Sequence, residues 1–127
     1  MKRVPSGDAK GVGDTVDSWA VDGVRGNKWN VGNCKEPWAV TWRQGDVIGI
    51  ACNMRTRQMI VSLNGDYSPP NGIVFNLPHT ERVVYPALFA STEGHLRANL
   101  GHAPFKHSYP NQDYVAFASL SHCDNFL

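Results

Sequence analysis

Gly45-Asp46-Val47-Ile48-Gly49-Ile50-Ala51-Cys52-Asn53, then Met54-Arg55-Thr56-Arg57, then Gln58-Met59-Ile60-Val61-Ser62-Leu63-Asn64-Gly65 is the stretch whose reading decides the fold. After Asp46 the first run is almost wholly apolar, as in a strand covered on both faces. The next four residues are polar and short enough for a hairpin connection. The second run is β-branched and apolar. It closes on Asn-Gly, a pair that tolerates positive φ and so marks a turn. The spacing predicts a hairpin at the centre of a β-domain. A glycine inside a buried strand, Gly49, predicts the close approach of another backbone or ring.

Composition agrees with one β-domain. The chain has 127 residues, 42% of them hydrophobic, with 12 Gly and 8 Pro. That length suits a single domain with a core of its own, and the glycines and prolines suit many short strands joined by turns. A net charge of +1 gives no electrostatic case for nucleic acid or an anionic membrane. No apolar run approaches the roughly 20 residues of a membrane helix, and Met1-Lys2-Arg3-Val4-Pro5 lacks the apolar core of a signal peptide. Cys34, Cys52 and Cys123 are odd in number and lack metal spacing. Cys52 is expected to be a small hydrophobe in a strand. With no Asn-x-Ser/Thr sequon, the cysteines favour a reducing, cytoplasmic setting.

Outward from the hairpin, residues 18–23 predict a short strand and turn, and residues 24–32 a Gly-punctuated hairpin. Residues 33–43, with Trp38 and Trp42, read as a loop. The prolines of Asp66-Tyr67-Ser68-Pro69-Pro70-Asn71-Gly72 forbid a ladder. Ile73-Val74-Phe75 predicts a strand. A long apolar strand is expected over residues 83–90, with Pro86 marking an edge or bulge, and an alternating one over residues 95–100. Residues 114–120 read as a last strand or short turn. Residues 1–10 are expected to be irregular, 11–117 the domain and 118–127 a tail.

The hairpin resembles the central hairpin of SPRY (B30.2-type) domains: Gly-Asp-Val-Ile-Gly, a spacer, then a strand closing on Leu-Asn-Gly. It departs from the family at Asn53, where Asp is usual, and at Val61, where Phe is usual. Asp17-Ser18-Trp19-Ala20-Val21-Asp22-Gly23 and Arg25-Gly26-Asn27-Lys28-Trp29-Asn30 look like the segment before that hairpin. Tyr85-Pro86-Ala87-Leu88, Leu96-Arg97-Ala98-Asn99-Leu100-Gly101 and Pro104-Phe105-Lys106 resemble the family's closing strands and its Pro-Phe. Within the family the chain resembles the SPRY modules of ryanodine-receptor channels and of RING- and HECT-type ubiquitin ligases. The resemblance implies an all-β, antiparallel, bent two-sheet sandwich of concanavalin-like shape. It also implies a module that binds a protein, a peptide or a neighbouring domain of its own chain through loops at one end. The family usually begins with more strands than precede Gly11, so the chain is expected to be a piece of a larger protein, with an intrinsically smaller sandwich as the alternative.

No residue pattern calls for catalysis, a metal or a cofactor. Asp14, Asp17 and Asp22 carry oxygen donors suited to calcium, but their spacing matches no ion loop, and turn or strand-end roles are expected. His79, His95, His102, His107 and His122 are scattered and offer no zinc set. Cys34 reads as a solvent-facing thiol with only Lys35 to activate it. Trp19 and Trp29 are expected as core and inter-sheet filler. Trp38 and Trp42 border a loop and join Arg25, Lys28 and Tyr67 as candidate partner-binding residues, because exposed aromatics and Arg dominate interface energetics. A lectin-like carbohydrate binder is the alternative, with the same Trp rings stacking on sugars. A hydrolase would need paired carboxylates, and neither Asp46 nor Glu93 has an evident partner.

Overall fold

A computed structural model describes residues 11–32, 34–80 and 83–119, with residues 34–36 described by their backbone. Two antiparallel three-stranded sheets make up the all-β architecture. The first contains β1 (Ala20–Asp22), β2 (Asn27–Asn30) and β3 (Cys34–Pro37), paired in that order. The second contains β4 (Ile48–Asn53), β5 (Gln58–Leu63) and β6 (Gly72–Asn76), again in sequence order.

The deciding hairpin is present. β4 pairs with β5 from Ile48↔Leu63 to Asn53↔Gln58. At its turn, Asn53 Oδ1 accepts bonds from the amides of Arg55 (3.0 Å) and Thr56 (3.1 Å), so the amide at this position supplies an Asx turn. At the far end of β5, Asn64 and Gly65 have φ of 52° and 82°, the left-handed pair that the sequence predicts. Gly49 does have a close neighbour, but it is a side-chain hydroxyl rather than a backbone or ring: a Cβ there would stand 2.5 Å from Ser62 Oγ.

The core lies between the sheets. Met59 and Val61 of β5, Val74 of β6, Leu77, Trp38 and Val40 are buried together, and Trp19, Val21, Ile48, Leu63 and Phe75 pack against them. Val61 is fully enclosed, which alone stabilises the fold by about 1.5–3 kcal/mol relative to exposure. Alternation explains the sharing of faces. Trp19 and Val21 point to the second sheet, and Lys28, the register partner of Val21, points the same way. Its ammonium donates to the Val74 carbonyl (3.2 Å) and lies 5.5 Å from the centre of the Phe75 ring.

Several expectations are corrected. Among the described residues β4 pairs with β5 alone, so the hairpin does not have strands on both of its sides. Ile50 is therefore 47% exposed although its register partner Val61 is fully buried. The segment 33–43 is not all loop, because Cys34–Pro37 forms β3 against β2; its proline falls at the last strand position, where a missing donor is tolerated. Residues 83–90 and 95–100 form no ladder, and Val83, Tyr85, Leu88, Phe89 and Leu96 are exposed. Pro86 interrupts the first segment. In the second, Asn99 turns its side chain onto neighbouring backbone, accepting from Gly101 N (2.9 Å) and donating to Ala103 O (3.1 Å). Such local bonds compete with strand pairing. Near the end, Phe117–Ser119 makes a single 3₁₀ turn, tied back by Ala118 N donating to Leu100 O. Residues 1–10, Asn33, 81–82 and 120–127, including His122 and Cys123, lie outside the described residues, as does the Cys34 side chain.

Candidate functional site

The β1–β2 turn is built by Asp22. Its Oδ1 accepts from Val24 N (2.9 Å) and Arg25 N (3.1 Å), and its carbonyl accepts from Gly26 N. Four groups of the turn are thereby satisfied without outside help, so Val24 stands at the tip, 85% exposed. Arg25 is held from two sides. Its guanidinium lies 3.5 Å from Asp22 Oδ2 and 5.7 Å from the centre of the Trp29 ring. Both contacts are surface interactions of modest energy; their effect is to fix the direction of an exposed cation.

The next loop docks on that turn. Gly26 O accepts from the amides of Trp38 and Ala39, and Gly23 O accepts from Trp42 N. The Trp42 ring lies flat over Gly23, where a Cβ would come within 1.8 Å of it. Trp42 in turn meets Trp38 edge to face, with centroids 6.0 Å apart at 74°, the geometry that aromatic quadrupoles favour. Trp38 Nε1 then donates to Pro70 O (3.0 Å), in a turn whose Pro69-Pro70 bond is cis. A continuous chain of contacts thus links residues 23–27, 38–43 and 66–72 into one rim. Within the last loop, Asp66 accepts from Ser68 N (2.8 Å), and the bonds from Ser68 hold its carboxyl below the usual range. Tyr67 donates its hydroxyl proton to Ser108 O (2.9 Å), tying the loop to the following segment.

The candidate residues do not share one role. Arg25 and Trp42 stand on the rim, and Tyr67 stands at its far end. Trp38 is only 3% exposed, so it supports the rim from beneath and offers no ring to a partner. Lys28 bridges the sheets. Trp29 is on the outer face of the first sheet with Ala20, covered by Gly13 and Arg25, rather than between the sheets. The loop after β6 leaves the other end of the sheet, since Leu77 N bonds Arg57 O beside the β4–β5 turn. Sequence reasoning missed Val24. The Asp22…Gly26 spacing was the available signal, because an Asx-capped tight turn pushes its second residue outward.

The acidic residues serve turns: Asp14 accepts from Gly11 N, Asp17 from Thr15, and Asp22 caps as above. Among the described residues, no three His, Cys, Asp or Glu side chains gather as a metal set. A shallow hollow of about 360 Å³ beside Gly101, Phe105 and Tyr109 includes His102 but no carboxylate or thiol. Burial pushes the Cys52 thiol up from its ordinary value, the opposite of what a nucleophile needs. No helix among the described residues is long and apolar enough to cross a membrane.

The family model of the SPRY domain matches residues 1–103. The chain belongs to the SPRY family. A curated relative, the E3 ubiquitin-protein ligase RKP of Arabidopsis thaliana, is 34% identical over 110 residues, covering 81% of this chain. The chain spans about 8% of that relative's length. No solved structure matches. SPRY domains are commonly protein-interaction modules, and the two antiparallel sheets of this SPRY chain carry a rim of joined loops of the kind on which binding residues concentrate.

Proposed function

We propose that this SPRY chain is a non-catalytic protein–protein interaction module, working within a larger cytoplasmic protein such as a ubiquitin ligase. It binds a partner protein or peptide, or another domain of its own chain, through the loop rim. The observation that carries this reading is the contact chain Gly23–Trp42–Trp38–Pro70. It gives exposed Val24 and Arg25 a rigid base, and rigidity reduces the ordering cost of binding. Arg25 supplies a directed cation, Val24 an apolar tip, and Trp42 and Tyr67 the aromatic flank. The ligase relationship supports the setting: a ligase needs a part that recognises its target, and a module of this size is suited to that task.

The test compares proteins retained by the wild-type chain with those retained by a Val24→Asp/Arg25→Glu variant, quantified side by side after circular dichroism shows equal folding. Partners retained by the wild type and lost from the variant support the rim. Identical sets refute it. A glycan array run in parallel, if positive and abolished by Trp42→Ala, replaces this reading with the lectin-like one.

A further inference from the structure

The loop of residues 66–72 holds the one Ser-Pro step among the 127 residues, Ser68-Pro69, and the sequence has no Thr-Pro step. A proline disfavours the helical region for the residue before it, so the step keeps Ser68 in the non-helical backbone in which proline-directed kinases read a hydroxyl. Ser68 lies outside helix and strand, and Ser68, Pro69 and Pro70 are all exposed. One backbone bond, from Asn71 N to Ser68 O (2.9 Å), closes the turn over the two prolines. Opening that bond lets the segment straighten into a kinase cleft.

The Ser68 hydroxyl already has a task. Asp66 is anchored to the end of β5, its N–H donating to Leu63 O (3.0 Å) and its carbonyl accepting from Leu63 N (3.2 Å). Its carboxylate accepts from Ser68 N (2.8 Å), and the Ser68 hydroxyl bonds to the same group. Ser68 is thus held against a carboxylate that its own backbone keeps in place. Two residues further on, Pro70 O accepts from Trp38 Nε1 (3.0 Å), the contact that joins this loop to residues 38–43. The path from Asp66 to Trp38 therefore runs through Ser68.

We infer that Ser68 is a phosphorylation site for a proline-directed serine/threonine kinase, and that its phosphate releases residues 66–72 from the loop rim. In the transfer the Ser68 oxygen attacks the γ-phosphorus of ATP. The new O–P bond forms as the bond to the ADP oxygen breaks, and the hydroxyl proton passes to the kinase's base. Phosphoserine carries a charge of about −1.5 to −2 at neutral pH, and the ester oxygen has no proton left to donate. A bond to the Asp66 carboxylate is replaced by repulsion at the same place. Because Asp66 is tied to β5, Ser68 is the residue that moves. The Asn71 N to Ser68 O bond and the Trp38 Nε1 to Pro70 O bond loosen with it. The consequence for a partner rests on the rim reading proposed above, whereas the modification and the release of the loop do not.

The experiment treats the folded, full 127-residue chain with ATP and proline-directed kinases of the mitogen-activated and cyclin-dependent classes, and locates phosphate by mass spectrometry. The expected result is phosphate on Ser68, absent from Ser68→Ala and strongly reduced in a folded Pro69→Ala variant. Hydrogen exchange is then read at the Asn71 amide and the Trp38 indole N–H. The phosphate should speed both roughly threefold to tenfold at low salt, the scale of an exposed charge interaction, and the gain should shrink as ionic strength rises. Neither readout needs a partner. A failure here leaves the interaction reading standing, and the Val24→Asp/Arg25→Glu variant should take phosphate as the wild type does whether or not it loses partners. A folded chain that takes no phosphate on Ser68 overturns the inference, and equal labelling of folded Pro69→Ala overturns the proline-directed assignment. So does a Ser68 phosphate that leaves exchange unchanged, or that speeds it equally at all salt concentrations, overturn the release of the loop by charge.

Discussion

Gly23→Ala should dislodge Trp42 and loosen the loop rim. A Cβ at Gly23 would stand 1.8 Å, 2.0 Å and 2.3 Å from three ring carbons of Trp42. Carbon atoms rest about 3.5–4.0 Å apart, so the indole has to retreat by roughly 2 Å. The three atoms belong to one rigid ring, so no single torsion relieves the clash locally. Retreat also opens the edge-to-face contact with Trp38, worth about 0.5–1.5 kcal/mol, on top of about 1–3 kcal/mol for overpacking. The expected loss is about 2–4 kcal/mol, enough to lower a urea midpoint by more than about 1 M. Tryptophan emission should shift to the red as Trp42 becomes wetter. The decisive measurement is a double-mutant cycle. With Trp42→Ala already in place the added methyl meets open space, so Gly23→Ala should then cost about 0.5 kcal/mol or less. An equal cost in both backgrounds would refute the placement of the ring and remove the base on which the rim reading stands.

Val61→Ala removes two methyl groups from the fully enclosed position and should cost about 2–3 kcal/mol, lost methylenes plus a cavity, measured by urea unfolding. Asn64→Ala should cost about 2–3 kcal/mol. It orphans Val47 N, which donates to Asn64 Oδ1 at 2.8 Å, frees the Asp46 carboxylate from the Asn64 amide, and puts Ala at φ 52°. Asn64→Gly keeps the φ and should recover about 1 kcal/mol of that loss. Because burial raises the Cys52 thiol above its ordinary 9.0, the unfolded chain ionises first as pH rises. The Cys52 contribution is therefore intact below pH 9.0 and falls away at more alkaline pH, up through the raised folded value. Cys52→Ser, whose hydroxyl does not ionise there, should flatten that alkaline slope in pH-dependent melting. Asp46 behaves in the opposite sense. The Asn64 amide first, and then the Arg43 backbone N–H, hold its carboxyl below 3.8. Its contribution is present above that value and disappears only as pH falls through the lower folded one, a slope that Asp46→Asn should remove.

The positions of failure are as informative as the hairpin that was found. The polar connection at residues 54–57, the Asn64-Gly65 turn and the β5 run are local devices, set by residues within a few positions of one another, and they were legible without a structure; the Asn53 cap is equally local but was not read. The family resemblance implied one rim built from loops 23–27, 33–43, 66–72 and 76–82; the structure joins 23–27, 38–43 and 66–72, makes residues 34–37 a strand, and sends the loop after Asn76 to the other end of the sheet. The apolar character of residues 83–90 was read correctly and their strand was not, because a strand needs a partner and apolar sequence does not name one. The same logic misplaced β3: Cys34-Lys35-Glu36-Pro37 has little strand character, and it is a strand because β2 offers it an edge.

By itself the sequence determined the chemistry of this chain: a β-rich SPRY domain, near neutrality, with turns at the positions its Asn, Gly and Asp residues dictate. Those properties follow from short-range sterics and hydrogen bonding, which every residue carries with it. Only the tertiary structure decided that Cys34–Pro37 pairs with β2, that Trp38 is buried while Trp42 rests on Gly23, and that Lys28 reaches across to β6. Those are long-range packing choices, in which the free energy of burying one ring or one strand depends on what arrives from elsewhere in the chain.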